Sequence, residues 1–213
     1  MKKIYFIRHG ESEANAGGII RPENEIELTK IGHEQADFVG ERVKNLDVDV
    51  IIASTLLRAR QTAEHISKET GIEVETSPLF IERRYPSVGI GLTKHHPTVQ
   101  EIEYLMINRF EDETAVHSDE ETFVELKERT IQALEYLTNR PEENILVVTH
   151  GIFLRMLVAA AIFGRTLTQS ETGKIVNVFK TKNTGISFLE YDFETNPKHP
   201  WVVRVWNDHA HLG

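Results

Sequence analysis

Short apolar runs rich in β-branched residues alternate with amphipathic helical stretches along this chain, and that alternation constrains the fold more than any other feature. Lys2 to Ile7 reads as a buried strand that runs into Arg8, His9 and Gly10. In "LTKIGHEQADFVGERVKNL", residues Ile31, Gln35, Phe38, Val39, Val43 and Leu46 recur at roughly helical spacing, with Thr29 as the N-cap. "VDVIIAS" is a second buried strand, "TLLRARQTAEHISKETG" a second helix closed by Gly71, and "IEVETSP" a third strand broken by Pro78. "EETFVELKERTIQALEYLTNR" gathers Phe123, Leu126, Ile131, Leu134 and Leu137 on one side of a helix. "NILVVTHG" is a fourth strand, followed by a helix from Ile152 to Phe163, and "KIVNVFK", "GISFLEYD" and "WVVRVW" read as three more strands. The pattern predicts a three-layer α/β/α sandwich with a mostly parallel central sheet. From Ile81 to about Glu120 it becomes irregular, so residues 81–120 are expected to form a small lid or insertion within one domain spanning 1–213, being too few to bury a core of their own.

Parallel sheets hold their ligands beyond the carboxyl ends of the strands. Arg8 and His9 end the first strand, Ser54 and Thr55 the second, and His150 and Gly151 the fourth. Four segments can therefore converge there: "RHGESEAN", "STLLRARQTA", "LFIERRYP" and "VVTHGIF". They offer histidines, arginines, a glutamate and an asparagine, a set suited to a phosphoryl group. Arginine's planar fork matches phosphate oxygens, and Arg58 lies near a helix start where free N–H groups also favour an anion. A neutral imidazole can attack phosphorus directly, and no metal is required for that.

Composition narrows the alternatives. The 213 residues are 40% hydrophobic and include no cysteine, so a disulfide framework, a thiolate metal site and a cysteine nucleophile are excluded. A formal net charge of −9 disfavours nucleic-acid and anionic-membrane partners, and requires a locally cationic pocket for an anionic small molecule. The opening "MKKIYF" stops short of a signal sequence at Arg8, and "GIFLRMLVAAAIFG" is too short to span a bilayer and is interrupted by Arg155. A cytoplasmic location is expected; oligomeric state is open. His95 and His96 before a proline, and His209 and His211 near the end, read as solvated residues, and no metal is assigned.

The chain resembles the histidine phosphatase superfamily, the phosphoglycerate-mutase-like proteins marked by Arg-His-Gly at the end of the first strand. "RHGESEAN", "LTKIGHEQA", "ASTLLRARQTA", the glutamate of "LFIER", "VVTHG", "NTGISFLEYD" and "WNDHAHL" carry the resemblance in order along nearly the whole chain. It implies that His9 is the nucleophile that becomes phosphorylated, its other ring nitrogen donating to a backbone carbonyl. It also implies that Arg8, Arg58 and His150 surround the transferred group, with Asn15 and the Gly151 amide adding contacts and no cofactor taking part. Glu82 matches the carboxyl that protonates the leaving alcohol and then helps activate water. Cationic neighbours are expected to keep His9 neutral.

Phosphatase and mutase share the phosphohistidine step. Arg83 and Tyr85 of "ERRYP", with Ser12, match substrate contacts of the mutase pattern, but Ala14 stands where mutases carry tryptophan and Pro86 where they carry glycine. Between Ile90 and Glu120 only Lys94 and Arg109 are fixed cations among many acids, where a mutase needs a basic lid for a second anionic group. Hydrolysis of a small phosphomonoester is the favoured activity, with a mutase and a non-catalytic phospholigand-binding protein as the alternatives. Arg60 is expected on the helix surface, and Glu82 has a structural alternative as partner of Arg83 or Arg84.

Overall fold

A strand with no polar face can be buried only where both sides of its sheet are covered. In the computed structural model, which describes residues 1–108 and 119–213, two such strands lie side by side at the centre. The elements run β1 (Lys2–Arg8), α1 (Glu13–Ala16), α2 (Lys30–Val43), β2 (Val50–Ser54), α3 (Leu57–Thr70), β3 (Val74–Ser77), α4 (Pro97–Asn108), α5 (Phe123–Thr138), β4 (Asn144–Thr149), α6 (Gly151–Phe163), α7 (Gln169–Val178), β5 (Ile186–Tyr191) and β6 (Trp201–Asp208), with short 3₁₀ turns between. The sheet order is β3-β2-β4-β1-β5-β6. β1, β4, β2 and β3 pair in parallel, β5 is antiparallel to β1, and β6 to β5, so β5 is the reversed strand.

Successive residues of the central strands face opposite layers, as the pleat requires. Ile145, Val147, Ile4, Phe6 and Ile52 pack in one core with Leu126 of α5 and Phe153 and Leu157 of α6. Leu146, Val148, Ile7, Ile51 and Ala53 pack in the other with Val39 of α2 and Ala59, Ala63 and Ile66 of α3. This is the expected sandwich. It brings the carboxyl ends of β1, β2 and β4 to one edge, because parallel neighbours end together.

Two local expectations need correction. "KIVNVFK" lies mostly within α7: Thr168 and Glu171 form a capping box, and Gln169, Thr172, Gly173 and Val176 make the buried stripe at helical spacing. The inner face of α2 is carried by Gly32, Ala36, Val39, Gly40 and Val43, while Ile31 (54%) and Phe38 (56%) are exposed. Within residues 81–120, expected to form a lid or insertion, α4 is a helix in which Val99 and Ile102 are buried; residues 109–118, Arg109 among them, lie outside the described part. No helix among the described residues is long and apolar enough to cross a membrane.

The corner after β1 is packed backbone to backbone on the start of α2. A Cβ at Gly10 would sit 2.5 Å from the Gly32 carbonyl oxygen, and one at Gly32 would sit 1.9 Å from that of Glu11. Thr29, the N-cap, accepts from the Gly32 amide and donates to the Glu11 carboxylate. Neither backbone has room to retreat. Gly32→Ala should therefore lower unfolding free energy in urea by at least the ~1–3 kcal/mol typical of overpacking; an unchanged midpoint would refute the close approach.

Candidate active site

The edge of the sheet holds His9 (3% exposed), His150 (0%) and Arg58 (4%) in contact. The imidazoles of His9 and His150 lie 5.0 Å apart between centroids. Arg58 projects from the first turn of α3, and its Nε donates to His9 Nε2 at 3.2 Å. His9 Nδ1 lies 2.7 Å from the Gly10 carbonyl oxygen. A carbonyl can only accept and a guanidinium can only donate, so the proton is on Nδ1 and the lone pair on Nε2. Gly10 N–H in turn donates to Thr62 Oγ1, and that hydroxyl donates to the Arg58 carbonyl.

Burial is the largest cause that holds His9 well below the ordinary histidine pKa, with Arg58 and Arg8 adding to it and the Gly10 carbonyl opposing. The expectation gave that role to the cations; the closed setting outweighs them. His150 is pushed down the same way, by burial first and then by Arg58 and His9. Its Nε2 meets Ser54 Oγ at 2.8 Å, and its Nδ1 is buried without a partner.

Arg8 is fixed through one nitrogen, NH1 donating to the Thr181 carbonyl at 2.8 Å, while its Nε is buried without an acceptor. Burial also lowers the Arg8 pKa, against the attraction of Glu82. Gly151 opens α6, where a Cβ would lie 3.3 Å from Arg8 Nε. Glu82 Oε1 accepts from the amides of Arg83 and Phe153, and Oε2 from that of Ile152. The two α6 amides taken by Glu82 leave that of Gly151 without a partner among the described residues.

The remaining expected residues divide. Asn15 Oδ1 accepts from the Ser12 amide, the Ser12 hydroxyl and Asn183 Nδ2, which leaves its own amide nitrogen uncommitted among the described residues. Ser12 is wholly buried as the N-cap of α1, spending its polar atoms on Asn15. Arg83 Nε donates to the Glu121 carbonyl, and Arg60 is on the surface. Tyr85 packs its ring on Gly89 and has Glu103 of α4 as its charged neighbour; burial takes its phenol up to about 12. The geometry thus brings together His9, His150, Arg8, Arg58, Glu82, Gly151 and Asn15, and holds Arg83 and Tyr85 on the segment beyond.

Several contributors carried no sequence assignment. Arg129 of α5 donates to the carbonyls of Leu79, Ile81 and Glu82 and pairs with Glu121 at 2.7 Å, clamping the backbone that presents Glu82. Asn183 Nδ2 donates to the His9 carbonyl, and Thr184 beside it is held at φ +57, a conformation a β-branched residue adopts only under constraint. His211, expected to be solvated, is half-buried between Thr184 Oγ1 and Arg42, and burial brings it down to about 4.

Neutral buried histidines make stability depend on pH in a fixed direction. Unfolded imidazoles take up protons below about pH 6.5 while the folded ones do not, so stability is greatest above that value and falls as pH drops toward the folded pKa values. His9 and His150 should each contribute a slope approaching ~1.4 kcal/mol per pH unit below about pH 6.5. Urea unfolding between about pH 7.5 and 5 checks this, and His9→Asn should flatten the slope.

A family model described as histidine phosphatase superfamily (branch 1) matches residues 4–209. A probable phosphoglycerate mutase GpmB of Enterobacter sp. (strain 638) is 30% identical over 217 residues, covering 100% of this chain and 95% of that protein. Among solved structures, a variant of phosphoserine phosphatase from Entamoeba histolytica in complex with phosphoserine superposes with a TM-score of 0.78 at 26% identity, covering 100% of both chains. A mycobacterial glucosyl-3-phosphoglycerate phosphatase in complex with VO3 gives a TM-score of 0.78 at 22% identity, with 97% of this chain and 99% of that one covered.

Proposed function

We propose that this chain, which belongs to the histidine phosphatase superfamily, is a cofactor-independent phosphatase that hydrolyses a small phosphomonoester through a phosphohistidine at His9. The observation that carries this is a neutral His9 whose Nε2 lone pair faces Arg58, ringed by buried nitrogens without partners, Arg8 Nε and His150 Nδ1. A phosphoryl group supplies the missing acceptors. Ser54 donating to His150 Nε2 leaves the His150 proton on Nδ1, where a phosphoryl oxygen can take it. Gly151 N–H and Asn15 Nδ2 complete the cage.

His9 Nε2 attacks phosphorus while the bond to the leaving alcohol breaks, and the alcohol oxygen takes a proton from Glu82. Oε1 already accepts two amides and Oε2 one, so Oε2 keeps the lone pair that can carry this proton. Glu82, now a carboxylate, removes a proton from water as the water oxygen attacks the phosphohistidine. The P–N bond breaks, inorganic phosphate leaves, and His9 returns neutral. Arg58 must first move: its Nε gives up the His9 Nε2 lone pair that attacks phosphorus, and NH1 and NH2 leave Glu23, which holds them through an ion pair 2.5 Å long. The substrate displaces an internal anion.

The phosphoserine phosphatase similarity supports hydrolysis, while the GpmB relatives favour a second reading as a mutase. The two differ in product: migration of phosphate between hydroxyls of a phosphoglycerate without net release marks the mutase, and tight phosphate binding without turnover marks a non-catalytic binder.

With p-nitrophenyl phosphate and excess chelator, native protein should release phosphate and form an acid-labile phosphoenzyme, both lost in His9→Ala. Equal release by the two proteins sinks the proposal. Glu82→Gln should slow alkyl phosphates by at least about 100-fold in kcat. It should slow the p-nitrophenolate burst of the phosphorylation step far less, since p-nitrophenolate departs without a proton, while hydrolysis of the phosphoenzyme slows for both substrates.

A further inference from the structure

Glu82 stands between two cavities of different charge. One, of about 250 Å³, is lined by Glu23, Glu82 and Glu121 with Arg84. The other, of about 360 Å³, is lined by Arg8, Arg155, Lys180 and Asn177, with Glu82 and Gly151 at its inner end. We propose that Arg155 and Lys180 form a second anion subsite in this latter crevice, between the start of α6 and the turn after α7, which receives a carboxylate on the non-reacting part of the substrate. The inference rests on the phosphatase reading above and narrows it to phosphate esters of hydroxy acids.

Arg155 interrupts an otherwise apolar helix, where a guanidinium is costly unless it is used. Its Nε donates to the Gly151 carbonyl and NH1 to the Val176 carbonyl, which fixes the plane of the fork. No carboxylate lies within ion-pair distance of Arg155 among the described residues. Arg42, Arg58, Arg129 and Arg140, by contrast, each have one. Arg8, which likewise has no carboxylate within ion-pair distance among the described residues, lines the same crevice. Lys180 also forms no ion pair among the described residues; its backbone is engaged, the amide donating to the Val178 carbonyl and the carbonyl accepting from Trp206 Nε1. The absence of a side chain at Gly151 keeps the passage beside Arg8 open.

Charge chooses between the two exits. Arg8 is committed to the phosphoryl group, which leaves Arg155 and Lys180 for the remainder of the ligand. Two of the Arg155 nitrogens are already taken by carbonyls, so the donors left there and on Lys180 suit the two oxygens of a planar carboxylate better than the three of a second phosphate. The scarcity of fixed cations between Ile90 and Glu120 is then no bar to a doubly charged substrate, because α6 and the turn after α7 supply the cations.

Calorimetric binding to His9→Ala, which holds ligand without turning it over, compares 3-phosphoglycerate with glycerol 3-phosphate, its analogue lacking the carboxylate, and with glycerol 1,3-bisphosphate. The carboxylate should tighten binding by about tenfold or more, the worth of one charge-assisted hydrogen bond. Adding Lys180→Gln or Arg155→Gln should remove about tenfold of that preference. Lys180→Gln matters most, because Arg155 also ties two carbonyls and its loss can disturb the fold. Equal affinity for 3-phosphoglycerate and glycerol 3-phosphate, equal weakening of both by the variants, or strongest binding of the bisphosphate overturns the proposal. Absence of p-nitrophenyl phosphate turnover by the native protein would overturn the phosphatase reading alone, since the binding ratio is read without catalysis.

Discussion

The site depends on a closed circuit of hydrogen bonds around one imidazole. His9 Nδ1 donates to the Gly10 carbonyl, Gly10 N–H to Thr62 Oγ1, the Thr62 hydroxyl to the Arg58 carbonyl, and Arg58 Nε to His9 Nε2. Each link has one possible direction once the others are set: the carbonyls cannot donate, the guanidinium cannot accept, and the hydroxyl has one hydrogen. The circuit therefore fixes the tautomer as well as the ring plane. It also explains the glycine after His9, whose backbone must both turn toward Thr62 and lie against Gly32. Burial supplies what the circuit does not, a setting in which the charged form of the ring is disfavoured.

Fixed cations around a neutral ring are held by backbone oxygens as much as by acids. Arg8 is tied to Thr181, and Arg129 spends its donors on the irregular segment that leads to Glu82 as well as on Glu121. Carbonyl partners orient a guanidinium without neutralising it, so its charge stays available to a ligand. Arg58 is the exception. Glu23, on the single 3₁₀ turn Glu23–Glu25, satisfies two of its nitrogens in the absence of ligand. A carboxylate there limits the cost of a buried, otherwise unpaired guanidinium, and it stands on an element short enough to yield.

Much of this was legible in the sequence, for identifiable reasons. β1 and β4 are buried on both faces, and their unbroken apolar runs stop at Arg8-His9 and at His150. Gly71 ends α3 at φ +75, as a glycine after a helix predicts. The α2 face was misjudged because it is built from Gly32, Ala36 and Gly40, whose value is close approach rather than hydrophobicity, while the larger Ile31 and Phe38 point to solvent. α7 was misjudged because the β-branched residues after Lys174 outweighed a capping box six residues upstream at Thr168. Thr62, Arg129 and Asn183 act on backbone atoms far away in sequence, and no local pattern announces such a partner. Asn183 did leave a signal, an asparagine preceding the Thr184-Gly185 turn within a segment already singled out.

Function divides along the same line. The atoms proposed to meet phosphorus are locked by strand ends, helix starts and carbonyls drawn from β1, α3, β4 and α6, so shifting any one moves the others. The groups that face the rest of a substrate are attached more loosely: Glu23 sits on a single turn, Tyr85 on the segment before α4, and Lys180 on the turn after α7. A rigid cage with independently replaceable walls allows one chemistry to be combined with many leaving groups. That is why one family holds relatives named for mutase and for phosphatase activity alike, and why substrate choice must be sought in the walls, where unpaired cations distinguish the crevice of Arg155 and Lys180 from the cavity across Glu82, whose Glu23 and Glu121 are paired with arginines.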